Sequence, residues 1–315
     1  MTYRTLDRLR KATQLATFGF LLLLPVLLLR DVTWILGSFY SLSIGELQIA
    51  DPMMALQSVL TSGRLYAPLL LAAAIPATLA LVLGRVFCSW ACPQNTLSEW
   101  IEAAEKRLFH KRWRRRVQRP IEHNPRPVLY WGVFAALVLL TLVAGFPLLG
   151  TLSMPGIIST QISQGFLGFG LGIELLLVAG ILTVEIAVGR RLWCKYVCPV
   201  GACLSLFRAG KTLHLHHDPA LCHCRGSVKP CHMACPLGLS PRKAGLYPFC
   251  FNCGRCARVC EKTGSRSLTL CFSPPNAQSR DRLLQSINPP TPPGSAADAP
   301  DAVPSDPFTT ESKEA

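Results

Sequence analysis

The cysteines of this 315-residue chain are grouped, and the tightest group runs from Cys250 to Cys260 as C-F-N-C-G-R-C-A-R-V-C. Thiols at spacings of three, three and four, with Gly254 allowing a tight backbone path, suit an iron-sulfur cluster wrapped by a short loop. Cluster irons need thiolates from several directions at once. A disulfide knot or a zinc site competes for the same residues, although zinc sites usually divide their ligands into two separated pairs. Upstream, Cys222, Cys224, Cys231 and Cys235 are followed by Pro236. In two-cluster ferredoxin arrangements three cysteines of a run hold one cluster and the fourth, beside proline, crosses to the other. That rule assigns Cys250, Cys253, Cys256 and Cys235 to one 4Fe-4S cluster, and Cys222, Cys224, Cys231 and Cys260 to a second. The upstream run departs from the ordinary pattern, with C-x-C and then six residues before Cys231. His223 and His232 lie among these ligands and are expected as exposed loop histidines, the alternative being replacement of a thiolate. His214, His216 and His217 form a weak metal-binding pattern.

A second constellation comes from an internal repeat. R-V-F-C-S-W-A-C-P from Arg85 to Pro93 matches R-L-W-C-K-Y-V-C-P from Arg191 to Pro199 at an offset of 106 residues throughout. Each copy ends an apolar segment, so Cys88, Cys92, Cys194 and Cys198 are expected to converge at one membrane face. Four such thiols can bind a further cluster, bind copper or zinc, or cycle as dithiols; the alternative is that they only pack while the prolines turn the chain. Trp90, Trp193 and Tyr196 are expected as interfacial belt residues.

The elements that must position these residues are apolar. Half of the chain is hydrophobic and its mean hydropathy is positive, which makes a membrane protein the leading class. Uncharged or nearly uncharged runs predict four crossings, at about 12–29, 66–84, 128–150 and 166–188, arranged as two hairpins. Pro76 in the second predicts a kink. Residues 1–11 read as a basic cytoplasmic arm, Arg30 to Leu65 as an outer loop and Thr151 to Gln164 as a short outer turn. The basic stretch from Trp100 to Arg126 fixes its side as cytoplasmic. The domain plan is then a membrane unit over 12–213, a 4Fe-4S module over 214–272 and a disordered tail over 273–315. Both termini are expected on the cytoplasmic side of a bacterial inner membrane, and the first apolar run lacks a signal-peptidase site. The net charge of +14 flanks apolar segments and cysteines, which favours lipid head groups over nucleic acid. Glu174 and Glu185 fall inside the fourth run. Glu185 is expected to pair with Arg190 and Arg191, and Glu174 is a candidate for proton transfer. No Rossmann fingerprint, P-loop or C-x-x-C-H haem motif is present, and no catalytic residue is assigned.

Two C-x-x-x-C-P membrane hairpins followed by a ferredoxin-type module resemble the NapH, NosR and FixG (CcoG) group of membrane iron-sulfur proteins, over roughly Arg8 to Phe272. The C-G-R-C-x-x-V-C run without a following proline is most similar to the NapH type. NosR-like proteins carry a flavin domain before the helices and FixG-like ones an immunoglobulin-like domain after the ferredoxin, and this chain has room for neither. The resemblance implies electron transfer from the quinol pool, or from a cytoplasmic donor, towards a respiratory reductase system through partner proteins. The FixG likeness implies the alternative of a copper reductase or assembly factor acting through the membrane-edge thiols.

Overall fold

The computed structural model describes residues 2–31, 34–118, 124–168, 170, 172–208, 212–222, 224, 229–243 and 245–272. The expected tail, 273–315, and His223 lie outside the described residues.

The chain opens with α1 (Tyr3–Leu29), started by Thr2, whose hydroxyl accepts from the Thr5 N–H. It continues into a three-stranded antiparallel sheet of β1 (Ile35–Gly37), β2 (Ser41–Ile44) and β3 (Leu47–Ala50), then α2 (Pro52–Ser62). Asp51 caps α2 by accepting from the Met53 N–H. The apolar α3 (Ala67–Leu83) ends at Gly84 and leads into the short α4 (Val86–Trp90), α5 (Pro93–Leu108) and α6 (His110–Val117). The second half repeats the plan: α7 (Pro127–Ala144), α8 (Leu148–Thr151), α9 (Met154–Phe166), α10 (Glu174–Val188), α11 (Leu192–Tyr196) and α12 (Pro199–Leu206). In both copies the C-P step ends one short helix and starts the next, with proline in the first turn where its missing N–H costs nothing. The cysteine-rich end is built on β4 (His214–His217), α13 (Pro230–Met233), α14 (Arg255–Lys262) and β5 (Leu268–Cys271), with β4 and β5 antiparallel.

Among the described residues, α1 and α7 are the helices long and apolar enough to cross a membrane, and α3, with 17 residues, is a shorter apolar one. Pro76 sits within α3. The structure departs from the sequence expectation at three places. The basic arm is the first part of α1, and its Asp7 and Arg10 are buried. The expected outer loop, Arg30 to Leu65, forms the sheet and α2. The expected outer turn, Thr151 to Gln164, lies almost wholly within α9, where Met154, Ile157 and Ile158 are buried.

The helices within these segments, α2 and α9, carry no charged residue, so they can be buried against the cysteine-bearing helices as readily as they can loop. Met53 of α2 and Leu149 of α8 share one core with Cys198, Val200, Cys203 and Leu204. Met154, Ile157 and Ile158 pack with Val178 and Ile181 of α10 and against Trp193. Gly156 lets the Tyr40 ring lie against α9, since a Cβ there would clash with it.

Candidate redox centres

The module gathers its thiols from four segments. Gly254, at φ 71° in the left-handed region, turns the Cys250–Cys253 loop into α14. That helix sets Cys256 and Cys260 one turn apart, both buried. Cys235, Cys250, Cys253 and Cys256 line a single hollow whose remaining wall includes Leu215, Leu237, Leu239, Leu246, Phe251 and Leu270. Burial first, then the neighbouring Cys253, Cys235 and Cys250, lift the Cys256 thiol well above its ordinary value. Cys250 is pushed up to about 12 by burial and by Cys253. The irregular upstream spacing also closes on itself. Cys231 is pushed up to about 12 by burial, then by Cys260 and Cys224, with Cys222 within reach as well. Cys260 is held by the Ser265 carbonyl and lies 3.2 Å from the Ser267 hydroxyl. Thiols gathered in this way stay protonated because their thiolates would repel one another, and a cation among them binds the thiolates and releases the protons.

The repeated motif forms a third set. Cys92 lies within electrostatic reach of Cys88 and Cys198, and Cys194 within reach of Cys198 and Cys92. Cys92 and Cys198 are buried, and Cys88 and Cys194 half-buried. Beside them stands Arg85, 3% exposed. Its guanidinium donates to the carbonyls of Pro248 (2.7 Å), Phe249 (3.2 Å) and Cys194 (3.1 Å), while its Nε is buried without a partner. Gly201 leaves the space it occupies, since a Cβ there would lie 2.3 Å from Nη2. No carboxylate pairs with Arg85 among the described residues, and the groups near it that can carry negative charge include the thiols of Cys88 and Cys198. A buried cation beside two of the four thiols fits an anionic, thiolate-ligated cluster. Among the described residues no three His, Cys, Asp or Glu side chains come close enough to share one metal ion. A cubane does not require that, because it spreads its four thiolates over four irons.

Two shared cores join the three sets. Tyr130, Ala202, Leu237, Leu239, Phe249 and Phe251 form one, against which Cys88 and Cys194 of the repeated motif pack as well as Cys235, Cys250 and Cys253 of the module. Cys231, Cys256, Ala257, Cys260 and Leu268 form the next. Within the first, Tyr130 and Tyr196 each meet the Phe249 ring edge-on, at centroid distances of 5.4 and 6.2 Å. Tyr196 and Trp193, expected as belt residues, are half-buried and pack against these cores.

Glu99 and Glu102, which were not singled out in the sequence, join a buried charge network. Arg191 is buried and donates to Asn95, with Glu102 at 3.5 Å and Glu99 at 3.8 Å. Glu99 also pairs with Arg10, and Glu102 with Arg255 at 2.8 Å. Arg258 reaches Asp7 at 2.6 Å, which closes the network between α1, α5 and α14. The expected Glu185 pair with Arg190 and Arg191 does not form: Glu185 accepts from the Ser98 hydroxyl at 2.8 Å, and Arg190 donates to the carbonyls of Cys235 and Val117. Glu174 accepts from Gln161 at 3.0 Å. His232, expected in an exposed loop, is buried, and burial followed by Arg190 and Lys195 pulls its pKa down to about 4. His214 lies opposite Cys271 across β4 and β5, with Nε2 3.9 Å from the sulfur.

A family described as a 4Fe-4S binding domain matches residues 65–116 and 171–214, the two segments that carry the repeated motif. The methylamine utilization ferredoxin-type protein MauN of Methylorubrum extorquens is 30% identical over 254 residues, covering 80% of this chain and 73% of the relative. The ferredoxin-type protein NapH of Escherichia coli is 28% identical over 246 residues, covering 73% and 78%. The putative electron transport protein YccM of Escherichia coli is 24% identical over 294 residues, covering 85% and 77%. No solved structure matches.

Proposed function

Because the chain belongs to the ferredoxin-type family that includes MauN and NapH, we propose that it is a membrane-bound electron relay whose three cysteine sets each hold a 4Fe-4S cluster. The observation that carries this reading is the continuous packing from Cys88 and Cys194, through Phe249 and its neighbours, to Cys250 and Cys253, and on through Cys256 to Cys231 and Cys260. Each cluster, when bound, supplies a one-electron carrier. The protein supplies the thiolates, the apolar walls that exclude water and the arginines that offset negative charge. The apolar helices α1, α3, α7 and α10 cross the membrane as two hairpins. Their basic connections, the module and both termini face the cytoplasm. Electrons enter from the quinol pool or a cytoplasmic donor and leave to a respiratory redox partner.

Anaerobic purification with iron and sulfide analysis and low-temperature EPR tests the proposal. The intact chain is expected to hold about twelve irons, and the Cys88→Ser/Cys194→Ser double variant about eight, with the module signals retained. About eight irons in both proteins would remove the third cluster, and about four or fewer in the intact chain would overturn the relay.

A further inference from the structure

The 106-residue offset extends beyond the cysteines. Arg191 reaches Asn95, Glu99 and Glu102 on α5, and the corresponding positions after the second copy are Gly201, Ser205 and Arg208. Thus the position that provides carboxylates to one buried arginine provides a hydroxyl and a further cation beside the other. A cleft of about 520 Å³ opens at that place. Arg85, Arg208, Arg242 and Lys243 line it, together with His214, His216 and His217, and no acidic residue does so among the described residues. The Nε atoms of Arg85 and Arg242 and Nε2 of His217 are buried without partners. Gly84, Thr212 and Leu213 place the cleft at the end of α3, where Thr212 and Leu213 donate to the last-turn carbonyls of Leu81 and Val82. Arg208 lies over the Tyr247 ring, 4.4 Å from its centroid.

We propose that this cleft binds a phosphate-bearing organic anion, which supplies to Arg85 and Arg208 the negative charge that Glu99 and Glu102 supply to Arg191. Cations that converge with no acid among the described lining residues favour an anion of more than one charge. Guanidinium forks match phosphate oxygens, and the cleft is several times larger than inorganic phosphate alone would fill. Its place at the end of an apolar helix makes a phospholipid head group one source, and its width admits a soluble nucleotide as the other. The inference rests on the cleft and the repeat, so it stands or falls separately from the number of clusters.

The test is isothermal titration of the full-length protein in a neutral detergent with dihexanoylphosphatidylglycerol, with ADP and with inorganic pyrophosphate. At least one probe is expected to bind saturably at one equivalent per chain. Tightest binding by the phosphatidylglycerol identifies the lipid head group, and tightest binding by ADP the soluble ligand. Arg208→Glu, which places a carboxylate where the first copy has Glu102, is expected to weaken binding at least about tenfold, and Arg242→Gln by a similar factor. Arg208 is exposed, so its replacement leaves the fold intact, which an unchanged circular dichroism melt checks. Arg4→Gln and Arg8→Gln, exposed on α1 and not among the residues lining the cleft, are expected to bind as the parent does. Absence of saturable binding by all three probes, or equal weakening in the α1 variants and the cleft variants, would overturn the proposal.

Discussion

The two copies of the C-x-x-x-C-P motif exchange their arginines and then treat them differently. Arg85 leaves the first copy and lies against Gly201 and the Cys194 carbonyl of the second. Arg191 leaves the second and lies against Asn95 of the first. Each is about equally buried, at 3% and 4%. Arg191 meets two carboxylates that are shared with Arg10 and Arg255, whereas Arg85 meets backbone carbonyls and thiols. The difference separates two tasks that the identical motif hides. The first helix after a C-P step, α5, holds the molecule together by charge. The second, α12, leaves charge unbalanced beside the cysteines and the cleft.

The largest expected consequence lies on the balanced side. Removing one partner from a buried ionic network leaves the others uncompensated, at a cost of about 3 to 5 kcal/mol. Arg191→Met is therefore expected to lower stability by an amount in that range, read as a fall in denaturation midpoint by circular dichroism. Arg85→Met, which strands no carboxylate, is expected to cost less. Equal losses from the two substitutions would abolish the distinction.

The acid dependence of the same network is the next largest effect. Burial lifts the Glu99 carboxyl, but Arg10, Arg191 and Arg255 outweigh it and hold the group at about 2, against an ordinary 4.5. A carboxyl depressed on folding contributes stability that is complete above its unfolded pKa and is lost as pH falls through the folded value. Here that window runs from about pH 5 down to about pH 2, and the contribution is roughly 3 kcal/mol. Glu99→Gln is expected to lose this stabilisation at pH 7 and to show a shallower fall between pH 5 and pH 3 than the parent. An unchanged slope in the variant would show that other carboxylates, Asp7 among them, carry the acid sensitivity.

What was legible in the sequence divides along the same line. Cysteine type and spacing carry chemistry directly. The twelve thiols of the three sets were therefore identifiable before any fold was known, and so was the repeat that pairs Arg85 with Arg191. Charge was read by position, as a marker of the cytoplasmic side. That reading counts the basic residues from Trp100 onward but has no way to see that Glu99 and Glu102 turn inward, because the partners they meet, Arg10, Arg191 and Arg255, are up to 153 residues away along the chain. The segments read as outer loop and outer turn fail for a related reason. Low charge marks what can be buried, and only the packing of Met53 on Cys198 or Ile157 beside Trp193 decides that it is. Likewise, the basic residues of the cleft are scattered between Arg85 and Lys243, and the missing carboxylates show only once Arg191 is seen to use Glu99 and Glu102.

The smallest expected effect is the most discriminating for Arg85. Replacing it by lysine keeps a positive charge beside Cys88 and Cys198 but removes the fork that spans the carbonyls of Pro248, Phe249 and Cys194. An ammonium on a flexible stem cannot satisfy all three at once, so Arg85→Lys is expected to cost about 1 to 2 kcal/mol while leaving the reduction potential of the proposed membrane-edge cluster nearly in place. Arg85→Gln keeps hydrogen-bonding capacity and loses the charge. Since a nearby cation favours the reduced, more negative cluster, that variant is expected to lower the midpoint in an EPR-monitored redox titration. The two substitutions thus separate what the arginine does as a clamp from what it does as a charge. If glutamine leaves the midpoint unchanged, Arg85 serves only to tie α12 and the module to the first copy, and the electrical asymmetry between the copies has no redox consequence.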